Sequence, residues 1–234
     1  MNNHNEDKKV LVNTVFSKVY KKYDLMNDLM SLGVHRIWKR NMLDWMKPQE
    51  NQRILDVASG TGDLAKIFSE KNNNKNQIDC VEPNKHMIEI GKNKLKNYKN
   101  IKWFLAPAEK LPFNDNTFDF YTISYGIRNV TDIDLCLKEA FRVLKTGGRF
   151  MCLEFSKIEN EILEKMYKQY SRLIPAIGNY VTGSAMPYTY LVESIEKFYN
   201  QEELLGLIKN TGFSDTEFRN LSNGISAIHS GWKI

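Results

Sequence analysis

The stretch that most constrains this chain covers residues 53–64 and reads RILDVASGTGDL. Apolar and small residues flank Asp56, as in a short buried strand. Gly60 and Gly62 then open what reads as a helix beginning near Asp63. Glycine has no Cβ, so the backbone can turn sharply and come close to a bound molecule. A strand that runs into such a turn predicts a ligand site.

This turn lacks the features of the common phosphate-binding loops. The dinucleotide fingerprint has a third glycine where this chain has Ala65, and no Gly-Lys-Ser/Thr tripeptide follows. The carboxylates of Asp56 and Asp63 would repel a pyrophosphate, whereas they suit a cationic, amine-bearing ligand.

A second acidic residue points to a nucleoside. Glu82 stands twenty residues after Gly62 and closes an apolar run at 78–81. An acid at the end of the second strand of such a unit can accept hydrogen bonds from both ribose hydroxyls. The Gly-x-Gly pattern alone is equally typical of a tight structural turn, but with Glu82 it favours S-adenosylmethionine as the cofactor.

Strand and helix signals alternate along the middle of the chain. This alternation predicts an α/β fold with a mostly parallel sheet and helices on both faces. The predicted helices cover residues 63–71, 84–96, 132–145 and 201–210, and the predicted strands cover 77–81, 101–105, 118–124, 148–155, 214–220 and 225–230. Gly147-Gly148 is interpreted as a helix stop.

The pattern divides the chain into four segments. Residues 1–48 are predicted to form an N-terminal helical cap that ends at Pro48, and residues 49–156 the cofactor-binding core. Residues 157–200 are predicted to form a helical lid, and residues 201–234 complete the core sheet through a hairpin. The lid is expected to be interrupted at Pro175, Gly178, Gly183 and Pro187.

Composition excludes several classes of protein. Among 234 residues the net charge is +5 with both signs interspersed, so no basic arm for nucleic acid is expected. Cys80, Cys136 and Cys152 lack metal-ligand spacing, which predicts buried thiols and no metal site. Without a signal core or an apolar span, we expect a cytoplasmic protein. Basic residues near the N-terminus, among them Lys39 and Arg40, are interpreted as a solvated helix face, with a membrane-touching surface as the alternative.

A polar cluster ends the strand predicted at 118–124, which is the fourth when the strand around Asp56 is counted as the first. It covers residues 122–130 and includes Ser124, Arg128 and Asn129. In open sheets of this type ligands bind where the loops after the first and fourth strands face each other. Arg128 and Asn129 therefore either point into the site or cap the next helix.

Two long runs resemble a known family. Residues 23–38, YDLMNDLMSLGVHRIW, resemble the first signature of the ubiquinone/menaquinone biosynthesis C-methyltransferases, and residues 142–156, RVLKTGGRFMCLEFS, resemble the second. Thr146 stands where the family usually has proline. Shorter matches at 111–113, 128–130 and 220–224 extend the resemblance over about residues 10–234.

The resemblance implies a class I methyltransferase fold, a Rossmann-like three-layer sandwich whose seven-stranded sheet has an antiparallel last strand. It also places S-adenosylmethionine contacts on Thr61, Glu82, Pro107, Ala108 and Ser124. Pro107 stands where relatives often have asparagine. Glu109 follows directly and could also reach the adenine amino group.

The implied reaction is methyl transfer to a ring carbon of a polyprenyl quinol, after a hydroxyl proton is removed from the ring. Arg128 would stabilise the resulting quinolate. Candidates for the proton acceptor are Asp24, His35 and a water held by Arg128 and Asn129. For His35, a structural role under Trp38 is the alternative.

Other functions and partners remain open at this level. The chain could methylate another phenol or a sterol, or be a subunit of a quinone-synthesis complex that binds S-adenosylmethionine without catalysing a reaction. An apolar face within residues 162–177, beside the basic N-terminal helices, is expected to touch the surface of the inner membrane and hold the polyprenyl tail. Packing of this face on the sheet, or a homodimer through the same Tyr-rich segment, are the alternatives.

Overall fold

The computed structural model describes residues 28–234, apart from the side chains of residues 181 and 182. Seven strands form one sheet in the order β3-β2-β1-β4-β5-β7-β6. They are β1 Arg53–Val57, β2 Gln77–Glu82, β3 Ile101–Leu105, β4 Phe118–Ser124, β5 Leu144–Phe155, β6 Ser214–Leu221 and β7 Ser226–Trp232. The first five strands pair in parallel, and β7 runs antiparallel to both β5 and β6. The predicted α/β class and the antiparallel last strand are confirmed.

Helices cover both faces of this sheet. They are α1 His35–Met46, α2 Asp63–Lys71, α3 Lys85–Lys94, α4 Ile133–Val143, α5 Glu161–Thr182, α6 Met186–Lys197 and α7 Gln201–Asn210. Because side chains alternate along a strand, Ile54 and Leu55 of β1 enter two separate apolar cores. Helices α1, α2, α5 and α6 contribute to the first core, and α4 and α7 to the second. The molecule is therefore the expected three-layer sandwich.

Strand order places the loops after β1 and β4 side by side. The chain runs outward from β1 through β2 to β3 and then returns to β4 on the other side of β1. Val57 at the end of β1 pairs with Ile123 near the end of β4. The two loops leave the sheet together, at the kind of switch point where open sheets bind ligands.

Local side chains fix where several helices begin. Asn84 accepts hydrogen bonds from the N–H groups of His86 and Met87 at the start of α3. Asp132 caps α4 through the N–H of Leu135. Such caps satisfy backbone donors that have no partner within the helix, so they set the loop lengths around the site.

The prediction that the lid breaks at Pro175 and Gly178 is wrong. Helix α5 continues through both residues and ends only at Gly183, whose φ is +76°. Gly178 serves packing instead, since a Cβ there would lie 2.2 Å from Cδ2 of Tyr188 in α6. Pro187 lies in the first turn of α6, where a missing N–H costs little.

Two further boundaries differ from the sequence-based prediction. Helix α4 ends at Val143 and β5 begins at Leu144, so Gly147-Gly148 lies within the strand and does not stop the helix. At the other end of the core, α1 ends at Met46, just before Pro48 as expected. The first part of the predicted helical cap, residues 1–27, lies outside the described residues.

The cap and the lid contact each other directly. The hydroxyl of Tyr167 donates to the carbonyl of Met30 at 3.1 Å, and that of Tyr170 donates to the carbonyl of Leu29. Within residues 28–234, no helix combines the length and the apolar character needed to cross a bilayer.

Candidate active site

A cavity of about 310 Å³ lies at the switch point. Its wall is built from Ala58 and Gly60 after β1, from residues 82–84 after β2, from residues 105–109 after β3, and from the loop after β4. This is the edge of the sheet at which the sequence predicted a ligand.

Glu82 is held in place by backbone donors. One carboxylate oxygen accepts the N–H of Gly60 at 2.9 Å, and the other accepts the N–H of Asn84 at 3.0 Å. Burial raises the pKa of this carboxyl to about 7, and the two N–H groups oppose that shift. Each oxygen keeps a further lone pair, so the oriented carboxylate can still accept two ligand hydroxyls.

Asp56 and Ser124 contribute unsatisfied polar atoms beside the cavity. Asp56 accepts the hydroxyl of Thr122 with one oxygen at 3.1 Å. Its other oxygen and the hydroxyl of Ser124 are buried and have no hydrogen-bond partner among the described residues. Burial raises the pKa of Asp56 to about 7, and the bond from Thr122 opposes the shift. Buried polar atoms without partners are costly, so these atoms indicate a ligand.

The two glycines of the turn have different roles. Gly60 lines the cavity with φ at +57° and donates to Glu82. Gly62 does not line it: its φ is +83°, and a Cβ there would lie 2.7 Å from Leu95 and 2.9 Å from the ring of Trp103. Gly62, which we expected to approach the cofactor, instead lets α2 pack closely on its neighbours.

Two residues at the cavity adopt left-handed backbone conformations without being glycine. Ala58 follows β1 with φ at +51°, and Tyr125 follows β4 with φ at +56°. A Cβ on the adjacent Gly126 would lie 2.5 Å from that of Ala58, so the two loops are in close contact. Such strain costs on the order of 1–3 kcal/mol per residue and is concentrated at functional sites.

The loop after β3 forms the opposite wall. Pro107, Ala108 and Glu109 line the cavity, as the family motif implied for the first two. The Glu109 carboxylate accepts the N–H of Thr131 at 2.6 Å and that of Asp132 at 3.3 Å. Glu109 therefore ties the loop after β3 to the loop after β4.

Thr61 and Asp63 lie on the other side of the glycine turn. Both line a smaller cavity of about 20 Å³ that also touches Asp56 and Ser124. Asp63 forms ion pairs with Lys39 and Lys94. Its charge, which we expected to attract a cationic ligand, is thus balanced within the chain.

Arg128 does not line either cavity. Its guanidinium is buried, donates to the Glu154 carboxylate at 2.6 Å and to the Tyr125 carbonyl at 2.9 Å, and lies over the ring of Phe155. Both side chains of the Arg128–Glu154 pair are only 1% exposed. The charge that was expected to face a quinolate is instead neutralised by Glu154, and it fastens the β4 loop to β5.

Asn129 lies in the cavity wall next to the lid. Its side-chain carbonyl accepts the hydroxyl of Tyr190 from α6 at 3.0 Å, and its amide donates to the Tyr125 carbonyl at 3.4 Å. Of the two residues expected in the site after β4, Asn129 faces the cavity and links it to the lid.

The two side chains considered as bases are differently placed. His35 is buried in α1, where its Nδ1 lies 2.9 Å from the hydroxyl of Ser31, and burial lowers its pKa to about 4. It lines neither cavity, so its contacts match the structural alternative. Asp24 lies outside the described residues.

Sequence reasoning missed three residues at this edge: Lys39, Glu154 and Tyr190. Lys39 was assigned to a solvated face, but it is 7% exposed. Its spacing of four residues from His35 and three from Met42 places it on the same helix face as the buried residues of α1, and this spacing could have predicted its burial. Glu154 is a lone charge in the apolar run of β5, which predicts a buried partner.

Comparison with known proteins identifies the family. The model of the ubiE/COQ5 methyltransferase family matches residues 1–233. A ubiquinone/menaquinone biosynthesis C-methyltransferase from Brucella abortus is 48% identical over 97% of this chain and 87% of its own length. The chain belongs to the ubiE/COQ5 methyltransferase family. A second relative of the same description, from Brucella anthropi, is 47% identical over 97% of this chain and 89% of its own length.

Solved structures agree with this family at the level of fold. A possible histamine N-methyltransferase from Thermotoga maritima superposes with a TM-score of 0.68 at 20% identity, over 95% of this chain and all of the other. A phosphoethanolamine N-methyltransferase from Haemonchus contortus, solved with S-adenosylmethionine, superposes with a TM-score of 0.61 at 15% identity. The superposition covers 84% of this chain and 52% of the other. The ubiE/COQ5 chain thus has the class I fold of S-adenosylmethionine-dependent methyltransferases.

The site fits the cofactor of the ubiE/COQ5 family, S-adenosylmethionine. Glu82 presents two oriented oxygens where a ribose is expected, and the apolar wall at Pro107 and Ala108 suits an adenine. The unsatisfied atoms of Asp56 and Ser124 lie where further polar groups of the ligand would bind. The protein is therefore an S-adenosylmethionine-dependent methyltransferase.

Proposed function

We propose that this protein methylates a ring carbon of a polyprenyl quinol in ubiquinone or menaquinone biosynthesis. The observation that carries the proposal is the 48% identity, over 97% of the chain, to a relative named for this activity. The alternative, a subunit that binds S-adenosylmethionine without catalysing a reaction, predicts cofactor binding with no transfer of label in the test below.

S-Adenosylmethionine supplies an electrophilic methyl group, and the ring carbon must be made nucleophilic by loss of a hydroxyl proton. The ionisable residues described in the cavity wall are Glu82, Glu109 and Tyr125. Glu82 lies at the ribose end, Glu109 is held by backbone N–H groups, and burial raises the pKa of Tyr125 so that it stays protonated. We infer that the proton leaves to a water held at Asn129, while the walls align ring and methyl group.

The polyprenyl tail needs an apolar route near the lid. The apolar face expected within residues 162–177 is divided: Ile174 is buried, whereas Ile162, Met166 and Leu173 are exposed. Together with Tyr180, which lies beyond that face, these three residues are 59–93% exposed. These four exposed residues, here called the α5 ridge, lie along one line of the helix. The exposed Lys165 and Arg172 lie beside it. Apolar side chains flanked by cations are complementary to an anionic bilayer surface.

The test uses purified protein, methyl-labelled S-adenosylmethionine and reduced demethyl quinols with no tail, a short tail and a long tail. Label on a ring carbon is expected, and label on oxygen or on no quinol would contradict the proposed reaction. The double change Ile162→Ser and Met166→Ser should raise the apparent KM several-fold for the long-tailed quinol alone. Leu135→Ser, at an exposed site on α4, is the matched control. Equal losses with all quinols would show that the ridge does not serve the tail.

A further inference from the structure

A second, smaller cavity adjoins the cofactor cavity. It has a volume of about 20 Å³ and shares Ala58, Gly60 and Tyr125 with the large one. Such a volume accommodates about one to two small polar groups. A ligand whose ribose is bound at Glu82 can therefore extend past Gly60 toward the small cavity.

Two polar groups there lack partners among the residues that the structure describes. They are one carboxylate oxygen of Asp56 and the hydroxyl of Ser124, both fully enclosed and both in the lining of the small cavity. One can accept hydrogen bonds and the other can donate as well as accept. They therefore mark a binding site for a polar ligand group.

A buried cation completes the lining. The side chain of Lys39, on α1, is 9% exposed, and its ammonium lies 3.6 Å from a carboxylate oxygen of Asp63. That distance exceeds the 2.7–2.9 Å of a charge-assisted hydrogen bond, and Asp63 also pairs with Lys94. The Lys39 ammonium can therefore still donate a stronger hydrogen bond to an anion that lies closer.

The small cavity thus offers both an anion and a cation. The methionyl end of S-adenosylmethionine carries an α-ammonium and an α-carboxylate, and each needs an opposite charge when it leaves water. We propose that Lys39 binds the α-carboxylate of the cofactor, while Asp56 binds its α-ammonium. The proposal rests on the cofactor and not on the identity of the methyl acceptor.

This assignment gives α1 a role in cofactor recognition. The helix is fastened to the rest of the fold by the indole N–H of Trp38, which donates to Ser222, and by Arg149, which donates to the carbonyl of Trp45. Lys39 is therefore presented to the glycine turn from a fixed helix. The methionyl group of the cofactor would then bridge Lys39 of the cap and Asp56 of the core.

The test measures binding of three ligands by calorimetry. S-Adenosylmethionine carries both charged groups, its decarboxylated form lacks only the carboxylate, and methylthioadenosine lacks the whole amino acid chain. Wild-type protein should bind S-adenosylmethionine about 10- to 100-fold more tightly than the decarboxylated form, the effect of one charge-assisted contact. In Lys39→Met this ratio should fall to near one, with affinity for methylthioadenosine unchanged.

Variants and controls separate this role from a structural one. Lys39→Arg should recover much of the ratio, and Arg40→Met, at the exposed neighbouring position, should leave it unchanged. Lys39→Gln provides a second neutral variant if the methionine variant unfolds. A ratio retained in the neutral variants, equal losses for all three ligands, or no discrimination by the wild type would each overturn the proposal. Failure of the wild type to bind methylthioadenosine would instead contradict the adenosine site at Glu82.

Discussion

Replacing Arg128 by methionine tests whether its charge serves the fold or the substrate. In the structure its guanidinium donates to Glu154 at 2.6 Å and to the Tyr125 carbonyl at 2.9 Å, with both charged side chains 1% exposed. The change removes both bonds and leaves the Glu154 carboxylate with backbone N–H donors only, at 2.9 and 3.4 Å.

The expected cost is large. Breaking a buried ion pair by removing one partner costs about 3–5 kcal/mol, because an uncompensated charge stays behind. For a chain of this size, that corresponds to a melting temperature lower by roughly 6–20 °C. The double variant Arg128→Met and Glu154→Gln should recover a considerable part of the loss, since it leaves no buried charge.

The loss should also depend on pH. Burial already raises the pKa of Glu154, and Arg128 opposes that rise, so the variant raises it further. A carboxyl whose folded pKa lies above its unfolded value contributes stability at low pH that is lost as pH rises through the folded pKa. The deficit of the variant should therefore be larger at pH 8 than at pH 5.

Urea unfolding followed by circular dichroism at the two pH values measures this deficit. Lys197→Met is the control, because its ion pair with Glu193 is exposed and should contribute well under 1 kcal/mol. A small, pH-independent loss of stability for Arg128→Met, together with lost turnover and unchanged cofactor affinity, would refute this reasoning. It would show that Arg128 acts on the substrate.

Two further changes probe the glycine turn and the acid beside it. Asp56→Asn should stabilise the cofactor-free protein at pH 8 by up to about 4 kcal/mol, because burial raises this pKa from 3.8 to about 7. The difference between the variant and the wild type in the free energy of unfolding by urea should vanish toward about pH 4. A difference that stays the same at all pH values would contradict this prediction. Gly62→Ala should lower stability by about 1–3 kcal/mol more than Gly147→Ala, since both have φ near +80° but only Gly62 would clash. Equal melting temperatures for these two variants would exclude the clash.

Local patterns predicted the cofactor half well. The strand signal before Asp56, the glycine turn and the acid Glu82 are all set by residues close in sequence, and α2 and β3 have the predicted bounds. The resemblance then supplied the strand count and the contacts on Pro107 and Ala108, which do line the cavity. The strand before the turn, the turn itself and α2 could be predicted from the residues because short-range periodicity and turn chemistry decide them.

Features set by distant partners could not be predicted in this way. Gly178 reads as a helix breaker, yet its place in α5 is decided by the ring of Tyr188 that packs against it. Arg128 reads as a site residue, yet its partner Glu154 lies 26 positions further along the chain. The left-handed conformations of Ala58 and Tyr125 follow from the close approach of two loops, and neither residue type predicts them.

The costly features of the site share one physical origin. At the switch point the fold holds two strained residues, Ala58 and Tyr125, and two buried carboxyls, Asp56 and Glu82. Each of these costs stability, so they persist only where the surrounding structure determines their positions. Here the central strands β1 and β4 are paired along their length and have an apolar core on each face. Because a ligand with a ribose and an ammonium would offset the cost of both carboxyls, the same atoms that weaken the cofactor-free protein give the site its selectivity.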